Sequence, residues 1–260
     1  MTSRESEWPE PSTTVEPAAD VDRQLARTIG ELAGEKPEPR RVRRFVDLAA
    51  RSARRAGVVA VASGRWFAEI TLESAGHLPV RDLETMRLHH RGKDGQELAA
   101  ALVRRASLSS AAVGAATGAL ATASQATPAT WTTLPFELLA ETLLVVGIEM
   151  KLVAELHAVA GRPIGGNIGE RGAAIARAWS ESRGIRPGEL LAGGKLDVVG
   201  RQARNQLTAV LRRRLVARTG RNLGSFVPFL AGAVAGGALN RRATAKLGRK
   251  VAASLGVALP

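Results

Sequence analysis

Cysteine and tyrosine are both absent from this 260-residue chain, and Phe and Trp together make up only 3%. Without cysteine, a disulfide-built module, a thiolate zinc site and a thiol enzyme are all excluded. Acidic residues are missing in one direction: Asp197 is the last of them, and residues 198–260 hold no Asp or Glu. The start lacks a basic segment followed by an apolar run, so export by the standard secretory route is not expected. Period-2 alternation is nearly absent as well, which argues against strands.

What is present is an apolar fraction of 45%, ordinary for a globular chain, and a formal net charge of +13. Twelve of those excess charges lie in the acid-free stretch, among them Arg201, Arg204, Arg212, Arg213, Arg214, Arg218 and Arg221. The others are Arg241, Arg242, Lys246, Arg249 and Lys250. Residues 1–20 lean the other way, with Arg4 against Glu5, Glu7, Glu10, Glu16 and Asp20. That Pro-, Ser- and Thr-rich opening reads as a disordered acidic tail, and 21–260 as one helical domain. A single-sign segment creates a local potential that recruits polyanions. The competing reading is that carboxylates from 1–197 fold back onto it.

Helical spacing predicts helices over 21–34, 40–63, 65–76, 80–90, 96–108, 136–160, 170–183, 198–219 and 241–255. The 40–63 segment is basic and amphipathic, with Val42, Phe45, Val46 and Ala49 on a narrow apolar stripe among arginines. The 136–160 segment has the widest apolar face. The fold class is therefore all-α, a multi-helix single domain. Two stretches carry no charge, 106–136 and 222–240, each with a Gly-x-x-x-Gly pair: Gly114 with Gly118, and Gly232 with Gly236. Small residues four apart let two helices approach closely. Ser and Thr dilute the first stretch and Pro228 interrupts the second, leaving a helix too short for a ~30 Å hydrocarbon core. A Gly/Ala-rich hairpin, buried or shallowly inserted in a membrane surface, is expected.

Phosphate loops, zinc-binding histidine spacings and nucleophile elbows are not found, so no cofactor and no metal are expected. GRPIGGNIG (161–169) reads as a turn. Glu137 and Glu141 share a helix face; acid–base work is one reading, and a solvated helix-start pair the preferred one. Lys151 and Glu155 read as an ordinary i,i+4 pair. Trp66, Phe67 and Trp131 are read as core in preference to interfacial anchors.

The run SLSSAAVGAATGAL (107–120) followed by LPFELLAETLLVVGIEMKLVAELHAVAG (134–161) resembles the small-residue stretch, Leu-Pro step and long helix of the EcsC protein family. The ending NLGSFVPFLAGAVAGGALNRRATAKLGRKVA (222–252) is similar to that family's, with Pro228, Gly232, Gly236, Asn240 and Thr244 in order. The likeness covers roughly residues 40–255. Family members often carry an aromatic before the Gly that follows the long helix; here Ala160 precedes Gly161. The resemblance implies a bacterial protein linked to an ABC-transporter operon. It carries hydrolase-like labels with no agreed catalytic site, and no catalytic residue is transferred. The reading is then a non-enzymatic helical protein, cytoplasmic and peripheral at the inner membrane face. It docks through Arg212, Arg213, Arg214, Arg218, Arg221, Arg241, Arg242, Lys246, Arg249 and Lys250 on anionic lipid or a membrane protein such as a transporter component. A nucleic-acid binder and a hydrolase using Glu137, Glu141, His157 or a serine are the alternatives.

Overall fold

In the computed structural model, residues 18–34, 38–125, 134–184 and 230–259 are described, and all regular structure among them is helical. The helices are α1 (Ala18–Gly34), α2 (Pro39–Ala56), α3 (Val58–Ala62), α4 (Arg65–Gly76), α5 (Leu83–His89), α6 (Gly95–Gln125), α7 (Leu134–Val159), α8 (Ile168–Ser182) and α9 (Leu230–Ser254). The expected helix over 198–219, Arg212 to Arg221, Gly232's surroundings, Trp131, Pro228 and most of the acidic tail lie outside the described residues. The expected tail boundary shifts: Ala18 to Asp20 already form the first turn of α1.

Centre and periphery are set by α7. It is apolar almost all round, from Leu139 through Leu144, Val146 and Val153 to Leu156, and such a helix must be enclosed. It packs against α1, α2, α4, α5, α6, α8 and α9. The described residues form one hydrophobic core around it, with Trp66, Phe67, Phe45 and Trp179 as its largest members. The preferred core reading of Trp66 and Phe67 is the one observed, and their rings meet edge-on with centroids 6.0 Å apart.

Local chemistry sets the boundaries. The predicted 40–63 helix is broken at Gly57, whose φ of 84° and ψ of 160° end α2 and restart the chain as α3. Asp82 accepts from the Thr85 backbone N–H at 2.7 Å and starts α5 later than the periodicity suggests. In the turn at 161–169, Asn167 and Glu170 form a reciprocal capping box that opens α8. Both charge-free stretches extend their neighbouring helices: α6 runs on past Leu108 to Gln125, and α9 begins at Leu230, not at Arg241.

The Gly/Ala-rich packing is realised as a crossing of α6 with α9. A Cβ on Gly114 would lie 3.0 Å from the Gly236 carbonyl and 2.6 Å from Asn240 Nδ2; one on Gly237 would lie 2.9 Å from the Ala111 carbonyl. Further along, Gly248 sits against Val103 of α6 and Leu152 of α7. These pairings make α6 and α9 antiparallel, and α7 and α9 parallel. Of the four predicted packing glycines, Gly114 and Gly236 meet at the crossing, and Gly118 is half-buried on the same helix. Other close approaches lie outside the two predicted pairs. Gly76 and Gly172 join α4 to α8, and Gly147 lets α7 close on Ile29 of α1.

Candidate functional site

Three features of the fold carry charge with a chemical consequence. The first is the outer face of α9. Gly236, Asn240, Thr244 and Gly248 recur every fourth residue and face α6 and α7, so the intervening cations are turned outward. Arg241, Arg242, Lys246, Arg249 and Lys250 are all exposed. Lys250 donates to the Ser182 carbonyl at the end of α8, at 2.8 Å. Arg241, Arg242, Lys246 and Arg249 have no carboxylate within ion-pair reach among the described residues. A second basic face runs along α2, where Arg40, Arg43, Arg44, Arg51, Arg54 and Arg55 are exposed beside Asp47. Arg54 stacks its guanidinium 4.9 Å from the Phe136 ring, which ties the end of α2 to the start of α7. Immediately after it, Val58 and Val59 are 85% and 84% exposed, two β-branched apolar side chains presented to solvent. The sequence reading placed Val58 and Val59 inside a continuous amphipathic helix. The break at Gly57 is what turns them outward.

The second feature is a buried polar network between α6, α7, α8 and α9. Glu149 is fully buried, accepts from Trp179 Nε1 at 3.1 Å and lies 3.2 Å from Thr244 Oγ1, and Arg183 pairs with it. Thr244 Oγ1 is also 3.0 Å from Ser110 Oγ. A hydroxyl has one proton, so Thr244 gives it to the carboxylate and accepts from Ser110. About two turns away along α7, Glu141 accepts from Asn240 Nδ2 at 2.6 Å. Each carboxylate thus has a charged or amide donor, as burial of an anion requires. The preferred reading of Glu137 and Glu141 as a solvated pair is overturned: they are 5% and 8% exposed. The reason is that the first turns of α7 are covered by α2, α6 and α9. Glu141 and His157 are sixteen residues apart on one helix, about 24 Å at 1.5 Å per residue, so the carboxylates and His157 do not converge.

The third feature is a cleft bounded by the segment before α5, the end of α5, α6 and α7. It is lined by Arg81, His89, His90, Arg105, Ser109, Lys151 and Glu155, with Met86, Leu102 and Ile148 at its apolar wall. Lys151 pairs with Glu155 as expected, but both are buried, and Arg81 Nη1 approaches the same Oε1 at 3.8 Å. Desolvation holds the Lys151 ammonium below its ordinary pKa although Glu155 pulls the other way, and Arg81 and Arg105 add to the lowering. Desolvation also lowers His90, with Arg105 next in effect. Sequence spacing showed only the i,i+4 pair; Arg81 reaches it from seventy residues upstream.

Among the described residues no group of three or more His, Asp or Glu could hold a metal ion. No described helix is long and apolar enough to cross a membrane. In comparison with known proteins, no family model, curated protein or solved structure matches the chain.

Proposed function

We propose that this chain is a non-enzymatic helical protein of the EcsC type that docks peripherally on an anionic membrane surface through its basic faces. The observation that carries the reading is the outer side of α9, where Arg241, Arg242, Lys246 and Arg249 are exposed with no carboxylate partner among the described residues. Cations near an anionic leaflet contribute about 1 kcal/mol each, so even a few hold the protein at the surface reversibly. The arginines of α2 extend the charge, and Val58 with Val59 supplies a small apolar contact that enters the headgroup boundary. A location at the inner face of a bacterial membrane, beside a transporter component, follows the family resemblance. Nucleic acid is the competing polyanion; the chain supplies little aromatic surface for stacking bases.

The test is co-sedimentation with vesicles. Neutral vesicles should leave the protein in solution, vesicles with about a third anionic lipid should pellet it, and a high-salt wash should release it, because screening shortens the reach of the charge to about 3 Å at 1 M. Reversing Arg241, Arg242, Lys246 and Arg249 to Glu should abolish pelleting, and Val58→Asp with Val59→Asp should weaken it several-fold. Equal, negligible pelleting with both vesicle types would overturn the reading. Retention on DNA under the same conditions would then put the competing one in its place.

A further inference from the structure

We infer that the cleft between α5, α6 and α7 is a binding site for a protonated tetrahedral oxyanion, inorganic phosphate or the phosphate terminus of a phospholipid headgroup. This goes beyond surface docking and uses different residues. Three basic side chains, Arg81, Arg105 and Lys151, line the cleft with a single carboxylate, Glu155, so with all three charged it holds an excess of two positive charges before any histidine is protonated. Part of the charge is withdrawn from solvent: Lys151 and Glu155 have side chains only 9% and 5% exposed and Arg81 26%, while Arg105 lines the cleft from an exposed position. An unneutralised cation pair in a partly desolvated cleft is a strong anion attractor, since charge-assisted hydrogen bonds there are the short, strong kind. Burial is the main cause of the lowered pKa of Lys151 and of His90, and the neighbouring guanidiniums of Arg81 and Arg105 add to it.

Size and acceptor geometry narrow the class. The cavity volume is about 30 Å³, which suits an occupant of a few non-hydrogen atoms and not a nucleotide or sugar. Lys151 and Arg81 both address Oε1 of Glu155, and Oε2 receives no hydrogen bond from a described residue. A carboxylate beside an anion site repels fully ionised ligands and accepts from one that keeps a proton. Phosphate retains an O–H at neutral pH and sulfate does not, so donors from Arg81, Arg105 and Lys151 with one acceptor from Glu155 select phosphate.

Calorimetric titration of the intact chain at neutral pH and low salt tests this, with inorganic phosphate and sulfate as ligands. Phosphate should bind at one saturable site and sulfate at least about tenfold more weakly. Arg105→Gln, at an exposed position, and Arg81→Gln should each cost about tenfold or more in phosphate affinity, while Glu155→Gln should bring the two anions together. The variant with four reversed charges on α9 should bind phosphate as the unaltered chain does, which separates this site from the docking face. Vesicles containing phosphatidate, compared with vesicles of equal charge carrying phosphatidylserine, distinguish the sources. Preference for phosphatidate lost in Arg105→Gln assigns the lipid headgroup, and no preference assigns free phosphate. Absence of saturable phosphate binding, or its survival in both arginine variants, would overturn the site. Sulfate binding as tightly as phosphate would overturn the role given to Glu155.

Discussion

At the scale of single residues, the most consequential side chain is Glu149. Its carboxylate serves Trp179, Thr244 and Arg183 from a fully buried position. Removing one partner of a buried charge leaves the others without compensation, a loss of about 3–5 kcal/mol. Glu149→Ala is therefore expected to lower the urea midpoint strongly with little change in slope, and Thr244→Val to cost about 1 kcal/mol. The sequence could not show this, because the partners lie 30 and 95 residues away and a glutamate on a helix looks the same whether it faces water or a neighbour. Glu141 is the plainer case. Placed in the opening turns of α7, it satisfies the rule that acids favour helix starts, while its actual bond is to Asn240. The one trace available beforehand was the recurrence of Asn240 and Thr244 four apart, polar residues on the inner side of a helix whose outer side is basic.

Helices were legible wherever apolar residues recur with a period near 3.6, and less so where only small residues do. Over 106–125 and 230–240, alanine and glycine give neither a stripe nor a charge pattern, and the elements there follow from alanine's helix propensity and from the neighbour they pack on. The Gly-x-x-x-Gly spacing did locate the α6–α9 crossing, since it states a steric condition that holds in any surroundings. Gly76 and Gly172 were missed because each stands alone in sequence and they become a pair only when α4 meets α8. The crossing has a direct test. Gly114→Val would put carbon within 3.0 Å of the Gly236 backbone, where no flexible side chain can yield. We expect a loss of several kcal/mol, or insolubility, and a much smaller effect from Gly165→Ala, where an added Cβ would meet nothing within 4 Å. Thermal unfolding of both variants decides it.

For the molecule as a whole, the charge asymmetry was readable from composition, but its exposure was not. That required knowing that the polar stripe of α9 is consumed by α6 and α7. Stability as a function of pH is also a whole-molecule property. His90 and His157 both have pKa values lowered in the fold, His157 chiefly by desolvation with Arg162 second and Glu181 opposing. A histidine with a depressed folded pKa contributes fully above its unfolded value of about 6.5 and loses that contribution as pH falls through it, because only the unfolded chain then takes up the proton. The melting temperature should accordingly be lower near pH 5.5 than near pH 7.5, and His157→Gln should reduce the difference. An unchanged or higher melting temperature on acidification would contradict the assignment.

The arrangement of α6, α7 and α9 has a consequence for biosynthesis. Glu141 and Glu149 emerge from the ribosome about a hundred residues before Asn240 and Thr244, which meet them in the finished core. Until α9 is released, the central helix must remain hydrated around these two anions or be sheltered by another protein. Helix α9, made well after α7, is thus the one that lets the middle of the molecule dry, and a nascent chain arrested before it would be a substrate for chaperones and proteases.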